Sequence, residues 1–251
     1  MEERLNKFLA KAGVAARRKC DRLIQEGRVM VNGEVVLSPG YRVTEKDRVT
    51  VDGKLVECTE KQHIYLQLYK PRGYLTTLSD PLGRKTVADL LKDVPGRVFP
   101  VGRLDQDSEG LLLFTNDGQL AYVLAHPRFE VEKKYLVYAS GKVTLQELDT
   151  LKQGIRFKDQ CYRIREGLVI ESNASLSLVE VVLTEGKKHE VKILFEEIGH
   201  PVLRLIRIKM GPVVLDSRLL PGRWRYLTSQ EVEALQDLKT SLLRGKTNEK
   251  A

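Results

Sequence analysis

Long apolar runs are missing from this 251-residue chain, and none approaches the roughly 20 residues that a membrane span needs. The opening residues, Met1-Glu2-Glu3-Arg4-Leu5-Asn6, contain no apolar signal core. Both absences point to a cytoplasmic protein with no membrane partner. Cysteine is scarce: Cys20, Cys58 and Cys161 are odd in number, widely scattered and form no C-x-x-C pair. That argues against a disulfide framework and against zinc, which needs closely spaced ligands. His63, His126, His189 and His200 add no ligand spacing, so no metal is expected. A G-x-G-x-x-G loop is also missing, which excludes the usual dinucleotide-type cofactor cradle and weighs against a methyltransferase. Acids are in deficit, 34 against 42 lysines and arginines.

What is present is an ordinary globular composition, 42% hydrophobic, with a net charge of +8. A basic chain favours a polyanionic partner. The charge is concentrated. Arg4, Lys7, Lys11, Arg17, Arg18, Lys19, Arg22 and Arg28 face only Asp21 and Glu26 in the same stretch, a local excess of six. Phosphate binding depends on such clustering, because it works through local counterion release.

The chain reads as two domains and a tail: residues 1–61, 62–243 and 244–251. In the first, Leu5, Phe8, Leu9 and Ala12 recur at helical spacing and Gly13 closes the helix. A second helix follows around Leu23 and Ile24 and ends at Gly27. Arg17-Arg18-Lys19 falls at its N-terminus, where backbone amides add to the positive field. Apolar runs on either side of Asn32-Gly33 form a hairpin signal. Residues 57–62 are polar and look like a linker.

In the second domain, strands are expected at 64–69, 111–114, 135–139 and 176–183. Helices are expected at 86–91, 191–198 and 229–243. Strands and helices mix without a regular βαβ beat, so the fold class is α+β with a mixed, mainly antiparallel sheet. The tail reads as polar and frayed.

The most informative segment runs from Pro100 to Gly118. Three acids, Asp105, Asp107 and Glu109, stand between glycines ahead of Leu111-Leu112-Leu113-Phe114. A calcium loop would need its closing Glu at position 116, which is Asn. A solvated acidic turn is the plain alternative.

The first 50 residues resemble the RNA-binding domain named after small-subunit ribosomal protein S-four. The likeness lies in Arg4-Leu5-Asn6-Lys7-Phe8-Leu9, Arg17-Arg18, Leu23-Ile24 and Val31-Asn32-Gly33. Ala16 departs from the family's Ser, which would cap the helix. The segment around Arg103-Leu104-Asp105 resembles the catalytic motif of RNA pseudouridine synthases, in the branch acting on small- and large-subunit ribosomal RNA. Tyr69-Lys70-Pro71-Arg72-Gly73, Lys133-Lys134-Tyr135-Leu136-Val137 and Glu185-Gly186-Lys187-Lys188-His189-Glu190-Val191-Lys192 resemble that family's other motifs in order. Tyr69 stands where the family more often has Asn.

The resemblance implies an isomerase that breaks the ribose–uracil bond through nitrogen and rebuilds it through carbon, with no cofactor. It makes Asp105 the essential nucleophile or base, Tyr135 the platform for the flipped base and a candidate acceptor of the proton from the new carbon, and Lys192 the cation that keeps the carboxylate charged. Arg103 is expected to hold RNA, and so are Arg17, Arg18, Lys19, Arg28, Lys187, Lys188, Arg204 and Arg207. The expected partner is ribosomal RNA. Residues 199–207 and 221–228 lean towards the 23S group, and Lys209-Met210-Gly211-Pro212 keeps 16S open. A monomer is the default. The alternative is a non-catalytic RNA-binding protein of ribosome assembly.

Overall fold

Helix-forming and strand-forming stretches alternate unevenly along the chain, and a computed structural model shows how they pack. The structure describes residues 2–57 and 62–248. It falls into two compact units, one ending at Gln62 and one beginning at His63. Residues 58–61 of the expected linker lie outside the described residues.

The first unit contains β1 (Glu3–Arg4), α1 (Leu5–Lys11), α2 (Arg17–Gln25), β2 (Val29–Val31), β3 (Glu34–Val35), β4 (Arg42–Val43), β5 (Val49–Val51) and β6 (Lys54–Leu55). Leu5 and Leu9 from α1, Ile24 from α2, and Val29 and Val49 from the strands bury a common core. The order β3-β2-β5-β6 makes a small antiparallel sheet. Asn32 and Gly33 both take positive φ, 53° and 90°, as the tight hairpin between β2 and β3 requires.

The second unit is built on one nine-stranded sheet. Its first strands are β7 (Tyr65–Lys70), β8 (Phe99–Pro100) and β9 (Glu109–Thr115). Next come α3 (Gly118–Ala125), β10 (Lys133–Ser140) and α4 (Leu145–Gln153). The hairpin β11 (Ile155–Phe157) and β12 (Gln160–Tyr162) stands apart from the main sheet. Then come β13 (Glu166–Ser172), β14 (Leu176–Leu183) and α5 (Glu190–Glu197). The chain continues through β15 (Val202–Met210), β16 (Val213–Val214), β17 (Trp224–Tyr226) and α6 (Ser229–Asn248). The strand order is β13-β14-β10-β15-β9-β7-β17, with β16 beside β15 and β8 beside β9. All pairings are antiparallel except β15 with β9. The fold is therefore α+β with a mixed, mainly antiparallel sheet.

Every residue of β9 is buried. Leu112 and Phe114 enter the core shared with α4 and α5, and Leu111 and Leu113 enter the core under α3 and α6. A strand covered on both faces needs no polar alternation. That is why its sequence reads as a continuous apolar run.

Several elements differ from the sequence reading. Residues 86–91 form a single 3-10 turn, Val87–Leu90, closed by reciprocal bonds between Thr86 and Asp89. α6 starts at Ser229 as expected, on a capping box formed by Thr228 and Glu231. It continues to Asn248, so residues 244–248 of the expected frayed tail are helical, and 249–251 lie outside the described residues. α3 and α4 had no counterpart in the sequence reading. Both carry start signals: Asp117 accepts from the amides of Gln119 and Leu120, and Thr144 with Glu147 makes a capping box.

Candidate active site

Asp105 lies in the loop between β8 and β9, and the chain is shaped to hold that loop still. Gly110, at the start of β9, has φ +103°. A Cβ there would lie 2.3 Å from the carbonyl oxygen of Arg207. Only glycine allows β15 to approach this closely. On the other side Gly73 N–H donates to the Gln106 carbonyl at 2.7 Å, and Thr76 Oγ1 donates to the Leu104 carbonyl at 2.6 Å.

Beneath the loop sits Lys70, with no solvent exposure. Its ammonium donates to the carbonyls of Ser108 at 2.7 Å, Asp105 at 2.9 Å, Pro71 at 3.1 Å and Gln106 at 3.4 Å. Burial pulls its pKa down to about 8, against the restoring charges of Asp107, Asp105 and Glu109. The sequence reading placed Lys70 in a motif without giving it a task.

Arg207 is corrected from an expected RNA contact. It is 1% exposed, and its Nε donates to the Leu111 carbonyl at 2.8 Å. A bulge between Lys134 and Tyr135 skips Ile208 in the β10–β15 register and sets Arg207 opposite Tyr135. Both side chains are then buried.

The Asp105 carboxylate has two basic neighbours, one on each oxygen. Lys192 Nζ, on α5, lies 3.5 Å from Oδ2, and His189 Nε2, just before α5, lies 3.5 Å from Oδ1. Lys192 binds Asp107 more closely, at 2.5 Å. Burial opposes the Asp107 charge, yet the Lys192 hydrogen bond and charge outweigh it and hold that carboxyl below its usual pKa. So Lys192 is shared between two acids rather than dedicated to Asp105.

These groups open onto a cleft of about 900 Å³ that Arg72, Arg84, Arg103, Asp105, Asp107, His189 and Lys192 help to line. Tyr135 is 7% exposed and packs in the same cluster as Leu104 and Val191.

The other expected RNA contacts divide into paired and unpaired. Arg17, Arg18 and Lys19 are exposed on the first turn of α2, which has no side-chain cap and no acid, and Arg17 donates to Asn6 Oδ1 at 3.4 Å. Arg28 is exposed but gripped by Asp52 at 2.6 and 2.8 Å. Lys187 binds Glu185 and the Cys161 carbonyl, whereas Lys188 is exposed. Arg204 bonds the buried Glu109 at 2.6 Å.

A carboxylate on a pinned loop, flanked by cations and opening onto a cleft, is an arrangement suited to nucleophilic or acid–base chemistry. Residues 64–197 match the sequence model of the RNA pseudouridylate synthases, and residues 3–49 match the S4 domain. An "Uncharacterized RNA pseudouridine synthase" of Aquifex aeolicus (strain VF5) is 48% identical, over 94% of both chains. The "Ribosomal large subunit pseudouridine synthase B" of Bacillus subtilis (strain 168) is 40% identical, over 94% of this chain and 96% of its own. The crystal structure of a pseudouridylate synthase superposes with a TM-score of 0.65 at 31% identity, covering 92% of this chain and 99% of the other. The chain belongs to the RNA pseudouridine synthase family. It is an isomerase by class and carries an S4 RNA-binding domain.

Proposed function

We propose that this enzyme converts a uridine of large-subunit (23S) ribosomal RNA to pseudouridine, acting as a cytoplasmic monomer. The observation that carries the target is the 40% identity, over nearly the full length of both chains, to the large-subunit enzyme of Bacillus subtilis. In this reading the unit ending at Gln62 holds RNA and the unit from His63 performs the chemistry.

Asp105 supplies the essential carboxylate. Breaking a glycosidic bond builds positive character on the sugar, which a carboxylate can stabilise or attack. Lys192 pairs with that carboxylate, and the clasp of Lys70 holds its loop in place. Tyr135, in the cluster with Leu104 and Val191, forms the floor beneath the target base. The base must leave its stack to reach Asp105, at a cost of a few kcal/mol. Phosphate binding by Arg103, Arg17, Arg18, Lys19, Arg28, Lys188, Arg204 and Lys187 offsets that cost.

The test is a pseudouridine map of both ribosomal RNAs from a deletion strain. One 23S pseudouridine should vanish, return with the wild-type gene and stay absent with Asp105→Asn. Loss of a 16S site instead would transfer the activity to the small subunit. An unchanged map would leave an RNA-binding assembly protein.

A further inference from the structure

The hairpin of β11 and β12 carries a one-sided charge. Residues 155–165 contain Arg156, Lys158, Arg163 and Arg165 against a single acid, Asp159. All four cations are exposed. Arg165 has Glu132 at 3.5 Å. Arg156 and Arg163 have no ion pair and no side-chain hydrogen bond among the described residues. Lys158 Nζ lies 5.4 Å from the Phe157 ring centroid, which leaves its three donors free.

Strand geometry sorts these side chains by face. Ile155 stands opposite Tyr162, Arg156 opposite Cys161 and Phe157 opposite Gln160. Successive residues of a strand point to opposite faces. Ile155, Phe157 and Tyr162 turn inward and pack on the core. Arg156 and Cys161 therefore turn outward, and Arg163, two residues beyond Cys161, turns the same way. Lys158 occupies the tip in the left-handed conformation, φ 53°. Glycine or asparagine is the usual residue for that backbone. A lysine there carries a charge to the end of the hairpin at a cost in strain.

This face is also tied to the cleft. Lys187 Nζ donates to the Cys161 carbonyl at 2.7 Å and lies 5.4 Å from the Tyr162 ring centroid. Lys187 is two residues ahead of His189, which lines the cleft beside Asp105. The chemistry of the face selects its partner. Single strands are gripped by stacking their bases on aromatic rings. Both rings of this hairpin face the core, so the outer face offers cations alone. Such a face reads phosphates, and duplex RNA is recognised chiefly through its backbone and shape.

We propose that the outer face of the β11–β12 hairpin, through Arg156, Lys158 and Arg163, grips the phosphate backbone of a double-stranded RNA segment flanking the target uridine. The proposal rests on the ribosomal RNA reading above and adds to it a contact made by the unit from His63.

The test uses the full-length enzyme. Cys161 stands among the three cations and reports their occupancy. Its alkylation by iodoacetamide, read on its own peptide by mass spectrometry, should slow when an RNA duplex of about 20 base pairs is bound. An oligouridine of equal length should protect it far less. The triple variant Arg156→Ala, Lys158→Asn and Arg163→Ala removes the charges and keeps a residue that tolerates the left-handed tip. It should melt with the wild type. On a 23S ribosomal RNA transcript its salt slope of log affinity should be shallower by up to about 2.5, and its KM should rise about 10-fold with kcat moved far less. Arg156→Lys with Arg163→Lys keeps the charges and should keep the wild-type slope. An unchanged slope and KM in the triple variant would overturn the role of the hairpin and leave the activity at Asp105 standing. So would Cys161 protection that is absent, or equal with the two RNAs. A wild type that forms no pseudouridine in either ribosomal RNA would instead sink the underlying reading.

Discussion

The Lys70 ammonium lies 2.9 Å from the Asp105 carbonyl and 2.7 Å from the Ser108 carbonyl, so one buried cation clasps both ends of the turn that carries Asp105. No carboxylate oxygen neutralises it within ion-pair distance among the described residues. Its charge is spent on backbone oxygens, which are rigid, and its field extends towards Asp105, Asp107 and Glu109.

That clasp predicts opposite responses of activity and stability to alkali. The Lys70 pKa is about 8 in the folded protein and about 10.5 unfolded. Between those values the unfolded chain holds the extra proton, so stability rises with pH. The difference in unfolding free energy between wild type and Lys70→Met should therefore shift in favour of wild type by up to about 3 kcal/mol from pH 7.5 to 10.5. Over the same range the clasp loses its charge, and the wild-type kcat should fall with a midpoint near 8. Urea unfolding and single-turnover rates at each pH check both signs. A flat stability difference would refute the clasp.

Lys192 divides its charge between two acids, which makes its removal and the removal of Asp107 unequal. Lys192→Met should lower kcat about 100-fold, because the reactive carboxylate loses its closest fixed cation. Asp107→Asn frees Lys192 for Asp105 and should change kcat less than about 5-fold. The folded pKa of Asp107 lies below its ordinary value. Its pairing therefore stabilises the fold above the ordinary carboxylate pKa and is lost as pH falls through the lower folded value. Lys192→Met should remove that acid-side dependence. Equal losses of kcat in the two variants would show that Asp107, not Asp105, is the acid Lys192 serves.

How much of this was legible in the sequence depends on where each residue's partners lie. Asp105 stands out in the sequence because its motif is contiguous. The α2 cations stand out because a helix terminus is a local feature. Lys70 falls in a recognised motif at the end of a strand, but its task was not legible, since three of the carbonyls it binds are 35 to 38 residues further on. Arg207 reads as a surface charge on an alternating strand, and the bulge that turns it inward exists only when β10 is beside it. His189 sat unassigned within a recognised motif. Its place beside Asp105 depends on a left-handed backbone that no local pattern demanded.

Gly110 offers a prediction about the framework. Gly110→Ala would place a methyl against the backbone of Arg207 at a φ that alanine resists. The cost should be about 3 kcal/mol, from strain and overpacking together. In a unit of this size that lowers the melting temperature by roughly 10 °C. Gly118→Ala is the control, since nothing lies within 4 Å of its added Cβ. Calorimetry should show the first variant melting well below the second.

The first turn of α2 provides the last prediction. Arg17, Arg18 and Lys19 stand at the positive end of the helix macrodipole, with Ala16 giving no cap. Cations there are unfavourable, so this arrangement costs the free protein stability. A bound phosphate reverses the sign, because it meets three side chains and the free amides of the first turn together. Replacing all three by Ala should therefore raise the stability of the free protein slightly while weakening RNA binding. Each phosphate that is no longer neutralised should reduce the salt slope of log affinity by about 0.7 to 0.9, so the slope of the triple variant should be shallower by up to about 2.5. At saturating RNA kcat should stay near wild type, because all three belong to the unit ending at Gln62 and Asp105 to the other. Affinity measured from 50 to 200 mM salt separates the outcomes. An unchanged slope would mean that the RNA is held elsewhere and that these cations are only a solvated helix face.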